Sequence, residues 1–446
     1  MHLCNTKNIS IKEILKISLP MMISALSSHL MIILDQLVLA YYSVEAMTGA
    51  TSASLWSAAL QCAAMSTTMI AGVFVGHYNG SKQFKLAGIP VWQMIWFSIA
   101  LFAISIPVGL FMGETLIPEN IQKEGLPYFK ILMSCTPLTG IIFSLSAFFV
   151  SIGRGFIVTI AVIIANIVNI AANIIFVFGY FGIDWFVGST GAAIGTVISW
   201  IINIIILGYF FLSHQMREKY GTLNFKLRTD HMKKYLKLGA VGGIGHSFEM
   251  TAWSFLYYTL AGIAKEAALI QTMAFSVNIF LSFIVSGLEK GILAITSNLL
   301  GSKLEDQTRY IIKKGLTLHF IFAGILFFIF YFFPEFISDR FIKFKVSQET
   351  LDQTYFVLKL VWIYFVLDGC AWVIAGVIEA GGDINYTMWT ITTCLWVFVG
   401  IPTYFICKYS TLTIETIWML LIVEALSVAS VLYCRYKSKK WIHIRI

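Results

Sequence analysis

The chain has 446 residues, 58% of them hydrophobic and only 12% charged, with a mean hydropathy of +0.81. Soluble domains carry about a quarter charged residues, so this composition excludes one and points to a polytopic membrane protein. The formal charge of +8 is explained by topology and is not a nucleic-acid signal.

Apolar runs long enough, or nearly so, for a bilayer crossing of about 20 residues fall near 14–39, 48–76, 89–112, 126–151, 157–180 and 190–212. Six more lie near 238–262, 268–298, 315–333, 353–378, 387–407 and 414–434. An outer-membrane barrel would instead show short alternating segments. The first run continues as a span without a signal-peptide cleavage site, so it is expected to be retained. The seven cysteines lie mostly inside apolar runs, lack paired metal-ligand spacing, and are expected to be small buried hydrophobes.

Twelve spans place both termini on one side. Of the 31 Lys and Arg, 22 lie at the termini or in even-numbered connections, seven of them between Arg217 and Lys237. Eight lie on the other side, and Lys290 is within a span. This bias predicts cytoplasmic termini and, with the apolar runs, a multi-pass protein of the cell (inner) membrane.

The chain also repeats. LeuLysIleSer at 15–18 recurs as LeuLysLeuGly at 236–239, GluAla at 45–46 recurs at 266–267, and GlySerLys at 80–82 recurs at 301–303. The offset is 221 each time, at matching positions in the hydropathy pattern. The expected architecture is all-α, with twelve transmembrane helices in two pseudo-symmetric six-helix lobes. Residues 1–216 form the first lobe, 217–237 a cytoplasmic linker and 238–446 the second lobe. Transporters commonly route substrate along such a repeat interface.

Ionisable residues inside spans are rare, because a charge at the bilayer centre costs about 2.5–3.5 kcal/mol, and they usually face a cavity. Asp35 lies well inside the first span, fifteen residues beyond Pro20, which can bend that helix; the alternative puts Asp35 at headgroup level. In the fifth span Asn166, Asn169 and Asn173 share one stripe, and Thr196, Ser199 and Asn203 repeat the spacing in the sixth. Their oxygens suit a small hard cation, although packing between helices is the simpler reading for Asn166 and Asn203. In the seventh span His246, Glu249 and Trp253 share a face. In the tenth, Tyr364, Asp368 and Trp372 do the same, so that a phenol can donate to a carboxylate and the tryptophans can receive an aromatic cation. Lipid contact or core packing is the commoner role for such aromatics. Glu289 and Lys290 in the eighth span are adjacent and point apart on a helix, which argues against direct pairing. Glu424 in the twelfth span has no assigned role. His29, His246 and His319 are solitary, and a lone membrane histidine is usually a hydrogen-bonded core residue. No nucleotide-binding GxxxxGK[ST] and no HExxH is present, so transport would draw on an ion gradient.

Several stretches together resemble the multidrug and toxic compound extrusion (MATE) family, in its NorM-like branch. They are SerLeuPro at 18–20 followed by Asp35, ValGlyHisTyrAsnGlySerLys at 75–82, SerIleGlyArgGly at 151–155 and AsnIleAlaAlaAsnIleIlePheValPheGly at 169–179. GlySerThrGlyAlaAlaIleGlyThr at 188–196, LeuGlySerLys at 300–303 and ValIleGluAlaGlyGlyAsp at 377–383 complete the set. The resemblance spans essentially the whole chain.

It implies a secondary antiporter, not an enzyme and without a cofactor, that exports small, mainly cationic and aromatic compounds in exchange for Na+ or H+. Coupling residues carried over by position are Glu249, Tyr364 and Asp368 in the second lobe, and Asp35, Asn169, Asn173 and Thr196 in the first. Na+ would bind at Glu249 and Asp368, or at Asp35. His246, Trp253 and Trp372 would line the substrate cavity. The expected partners are organic cations, Na+ or H+ and lipid, with no nucleic acid, and the expected unit is a monomer. Two departures stand out: Asn173 occupies a position where many relatives have a second carboxylate, and the seventh span lacks the proline that relatives commonly carry. Two alternatives remain beside the antiporter: a lipid-linked precursor flippase of the same superfamily, which would need basic cavity groups, and a membrane sensor without flux.

Overall fold

A computed structural model describes residues 9–182, 184–260, 265–341, 347–409 and 413–442, and among them there is no β-strand. The first lobe comprises α1 (Ile11–Tyr42), α2 (Val44–Gly80), α3 (Gly88–Phe111), a broken α4 (Gln122–Cys135 and Pro137–Ser151), α5 (Gly155–Phe178) and α6 (Ser189–Phe211). The second comprises α7 (Thr229–Leu260), α8 (Lys265–Gly301), α9 (Thr308–Phe332), α10 (Gln348–Ala380), α11 (Ile384–Leu395 continuing through Trp396–Gly400 into Ile401–Tyr409) and α12 (Ile414–Lys437).

Ten of these helices are long and apolar enough to cross a membrane, and α4 adds an eleventh if its halves, bent by 44°, form one span. Pro137 begins the second half of α4; without an N–H it cannot satisfy the carbonyl one turn back, which accounts for the break. The twelfth, α7, has 32 residues but starts with lysines and carries His246, Glu249 and several glycines, so its mean hydropathy is diluted. It begins at Thr229, so Lys233, Lys234 and Lys237 belong to its first turns and not to an irregular linker. Pro20 does not interrupt α1, which is one helix from Ile11 to Tyr42. Its start is closed by reciprocal bonds: Glu13 N–H to Ser10 Oγ (3.2 Å) and Ser10 N–H to Glu13 Oε2 (2.7 Å).

The lobes meet through crossed pairs, α1 against α8 and α2 against α7, with α2 also along α8. With α1 equivalent to α7 and α2 to α8, this is the exchange expected of two repeated units facing each other. At one end the contact is tight. Asn79 Nδ2 donates to Asn298 Oδ1 at 2.6 Å, and Ser302 Oγ donates to the Gly80 carbonyl at 2.9 Å. His77 Nε2 lies 2.8 Å from the Ala380 carbonyl of α10. Gly80 and Gly301, one repeat apart, let the two backbones touch: a Cβ on Gly80 would meet the Asn298 backbone and one on Gly301 the His77 backbone.

The chain between the lobes is held down rather than loose. After the short helix His214–Tyr220, the strip from Thr222 to Arg228 lies on α3. Trp92 Nε1 donates to the Thr222 carbonyl (2.7 Å) and Trp96 Nε1 to that of Phe225 (2.8 Å). The fully buried Gln93 donates to the Lys226 carbonyl (3.0 Å) and accepts from Arg228 N–H (2.9 Å). Non-repetitive backbone is thereby satisfied without a sheet.

Candidate functional site

A cavity of about 1300 Å³ lies between the lobes, walled mainly by α2, α7, α8, α10, α11 and α12. Five carboxylates line it: Glu249 from α7, Glu289 from α8, Asp368 and Glu379 from α10, and Glu424 from α12. Lys290 and His246 are the basic groups in the lining. Helix spacing delivers several of these together. Asp368 and Trp372, four apart on α10, share a face, and the Trp372 indole donates to Asp368 Oδ1 at 3.0 Å. Three residues apart on α7, His246 Nδ1 approaches Glu249 Oε2 at 3.1 Å. Glu249, Asp368 and Glu424 reach the same cavity from three different helices. Thus the structure brings Glu249, Tyr364 and Asp368 into one cavity.

The hydrogen bond available to Asp368 is not the anticipated one. Tyr364 is buried and lines the cavity, but it makes no hydrogen bond to Asp368; its ring packs edge-on against Trp418, with centroids 5.9 Å apart. The aromatic lining continues through Trp253, which meets Phe275 edge-on at 5.6 Å. Glu289 and Lys290 form no direct ion pair, and both face the cavity. His319 lies behind Asp368: its Nε2 is 3.1 Å from the Val366 carbonyl, and Gly369 leaves the room its ring occupies. It is the hydrogen-bonded core histidine anticipated from its isolation. His29 makes no hydrogen bond, and its Nδ1 is buried without a partner.

In the first lobe, Asp35, Asn169, Asn173 and Thr196 form a second cluster that does not line the cavity. Asn173 Nδ2 donates to Asp35 Oδ1 (2.6 Å) and lies 3.3 Å from Asn169 Oδ1, and Asn169 Nδ2 lies 3.4 Å from Thr196 Oγ1. Asn173 Oδ1 is buried without a donor, packed against Gly195. Asn166 instead ties α5 to α1 through Ser27 Oγ at 2.7 Å, which is a packing role. Asn203 keeps a buried, unpartnered Oδ1. Pro20 takes part through its carbonyl, which accepts from Thr159 Oγ1 of α5 at 2.7 Å and Ser24 Oγ at 2.9 Å. No group of three His, Cys, Asp or Glu side chains converges tightly enough for a metal ion among the described residues.

The cysteine expectation needs correction. Of the six described, all unbridged, only Cys394 is buried; Cys62, Cys135 and Cys370 are half-buried, and Cys407 and Cys434 are exposed. An apolar run does not guarantee burial in the protein, because a membrane helix turns one face to lipid. Glu379 was missed as a cavity residue: in the sequence it reads as part of a helix-ending motif. Its spacing of eleven from Asp368 was the available signal.

Twelve helices in two six-helix lobes around a central cavity lined by carboxylates are the architecture of a multi-pass membrane transporter. The MatE family profile matches residues 20–175 and 270–406. A probable multidrug resistance protein NorM of Oceanobacillus iheyensis is 26% identical, covering 95% of each chain. The multidrug export protein MepA of Staphylococcus aureus is 24% identical, over 93% of this chain and 91% of that one. Among solved structures, a multidrug resistance MATE family transporter in an outward-facing conformation superposes with a TM-score of 0.83 at 16% identity, over 97% of each chain. The chain belongs to the MatE family of membrane transporters.

Proposed function

We propose that the protein is a secondary antiporter that exports small organic cations across the cell membrane in exchange for Na+ or H+. The observation that carries this reading is the cavity with five carboxylates against one lysine and one histidine. Anionic walls in a region of low dielectric favour a positively charged cargo, and the aromatic rings of Trp253 and Trp372 suit a delocalised or quaternary cation. The same carboxylates are suitable sites for Na+ or a proton. Ion and cargo then compete for one set of charges, so that loading one releases the other without direct contact between them. Asp368 is tolerated at membrane depth because it faces this cavity beside Trp372.

With both termini in the cytoplasm, as the Lys and Arg bias favours, the sealed end at Gly80 and Gly301 is cytoplasmic and this conformer is open outward. Alternating access would separate α2 from α8 at that end. In the first lobe, Asp35 with Asn169, Asn173 and Thr196 is a further candidate ion position, carrying one carboxylate. The acidic lining disfavours an anionic lipid headgroup, and with it the flippase reading.

The test is export of a fluorescent monocation from proteoliposomes, driven by a Na+ gradient alone and then by a pH gradient alone. Accumulation against the dye gradient in either arm supports antiport and identifies the ion. Passive equilibration in both arms contradicts it.

A further inference from the structure

Between Tyr220 and Thr229 the chain leaves helix and crosses the first turns of α3, in a region outside both stretches that the family profile matches. Two glycines permit the close approach. A Cβ on Gly221, whose φ is +65°, would meet the Lys85 carbonyl, and one on Gly88, the first residue of α3, would meet the Gly221 carbonyl. The polar backbone of the strip is turned toward α3. The carbonyls of Thr222, Phe225 and Lys226 and the N–H of Arg228 all bond to Trp92, Gln93 or Trp96. What the strip leaves outside is apolar: Leu223, Phe225 and Leu227 are 51%, 58% and 50% exposed. The Phe225 ring is steadied from below by Trp92, with centroids 6.0 Å apart.

Depth and charge say what covers these side chains. Trp92 and Trp96 stand four and eight residues inside α3, about 6 and 12 Å from its start. The 24 residues of α3 span about 36 Å against a hydrocarbon core of about 30 Å. The strip therefore lies at the boundary between headgroups and acyl chains, the level that tryptophan favours. Its surroundings are basic: from Arg217 to Lys237 there are seven Lys and Arg against two acids, Glu218 and Asp230. Glu218 is taken up by His214 at 3.5 Å. Lys226 is exposed in the strip itself, and Lys85 and Lys219 are exposed beside it. Lys219 Nζ lies over the Phe84 and Tyr220 rings, 5.0 and 5.1 Å from their centroids, which holds it next to the strip. Apolar side chains within a basic rim complement an anionic membrane surface.

We propose that residues 221–228 form a docking surface for anionic phospholipid headgroups. Leu223, Phe225 and Leu227 enter the boundary of the leaflet, while Lys85, Lys219 and Lys226 hold the phosphates around them. The segment that joins the lobes is thereby fastened on two sides, to α3 by its backbone and to lipid by its side chains. The inference rests on the chain spanning a membrane, and not on export, on the coupling ion or on which face is cytoplasmic.

The experiment uses the full-length protein in lipid nanodiscs, whose two leaflets are alike, so that orientation does not enter. An environment-sensitive fluorophore is placed at Leu227→Cys in a cysteine-free background, and its quenching by lipids spin-labelled near the headgroup is measured. One set of discs is phosphatidylcholine alone; the other also contains phosphatidylglycerol. Each basic group near an anionic surface strengthens the attraction about fivefold, so phosphatidylglycerol should shift the emission to the blue and raise quenching about twofold or more. High salt should weaken the response. Combining Lys85→Gln, Lys219→Gln and Lys226→Gln should return quenching to the phosphatidylcholine level, and Arg at the same three positions should keep the response, which separates loss of charge from loss of fold. Equal quenching in both lipids, or an unchanged response in the Gln variant, overturns the proposal. A fluorophore unquenched in every disc overturns it in favour of a protein occupant.

Discussion

Gly301→Ala should move the protein out of the conformer described here. At the sealed end the added Cβ would land on the His77 backbone of α2, and backbone cannot swing aside as a flexible side chain can. Overpacking of this kind costs about 1–3 kcal/mol. The cost falls only on the conformer in which α2 and α8 touch, so it acts as a differential on the conformational equilibrium, roughly a 5- to 150-fold shift. Gly80→Ala, its counterpart one repeat earlier, meets the Asn298 backbone and should act in the same direction. Spin labels on cysteines replacing the exposed Gln83 and Glu305, in an otherwise cysteine-free background, report the separation of the two lobes at that end. Pulsed electron resonance should show a longer-distance population in both variants. Gly208→Ala is the control, because nothing lies within 4 Å of a Cβ there. Parent-like distances in a monodisperse Gly301→Ala protein would refute the argument that these contacts seal the cavity.

Asp368→Asn keeps the Trp372 contact sterically possible but removes the charge, so gradient-driven export should be lost while yield and size-exclusion behaviour stay near those of the parent; retained export at parental rate counts against a coupling role. Asn173→Asp places a second carboxylate within 2.6 Å of Asp35, judged from the present contact. Like charges that close demand a cation between them, so the variant should show stronger dependence of transport on Na+ or on acid, and an unchanged dependence argues that the first-lobe cluster holds no ion. Gln93→Ala removes a buried side chain and leaves the part-buried Lys226 carbonyl and Arg228 N–H without their present partner. The expected destabilisation is about 1–3 kcal/mol, read as a lowered unfolding temperature in detergent, and no change would mean that the linker strip is not anchored there.

The architecture was largely legible because hydropathy and the 221-residue offset are properties of the chain itself. The same offset relates Gly80 to Gly301 and underlies the crossed pairing of α1 with α8 and α2 with α7. What pattern alone could not supply was the angular position of each polar group. Tyr364 and Trp372 stand four residues either side of Asp368 and are equivalent by spacing, yet only the indole turns to the carboxylate while the phenol packs on Trp418. Glu289 and Glu379 became part of the cavity through packing of α8 against α10, a contact between distant parts of the chain. Cys407 and Cys434 show the converse, since they fall at apolar runs of the sequence yet are exposed on the protein surface. The length of α7 was understated because charged first turns and glycines mask a helix that continues well beyond its apolar centre.

The most direct check on the whole account is equilibrium competition on the purified protein. A cationic dye is titrated at a series of Na+ concentrations and pH values, in wild type and in Asp368→Asn. Shared carboxylates predict that the coupling ion weakens dye binding in wild type, that dye reciprocally weakens ion binding by the same factor, and that the variant loses this antagonism. Dye and ion binding together without mutual effect in wild type would contradict it.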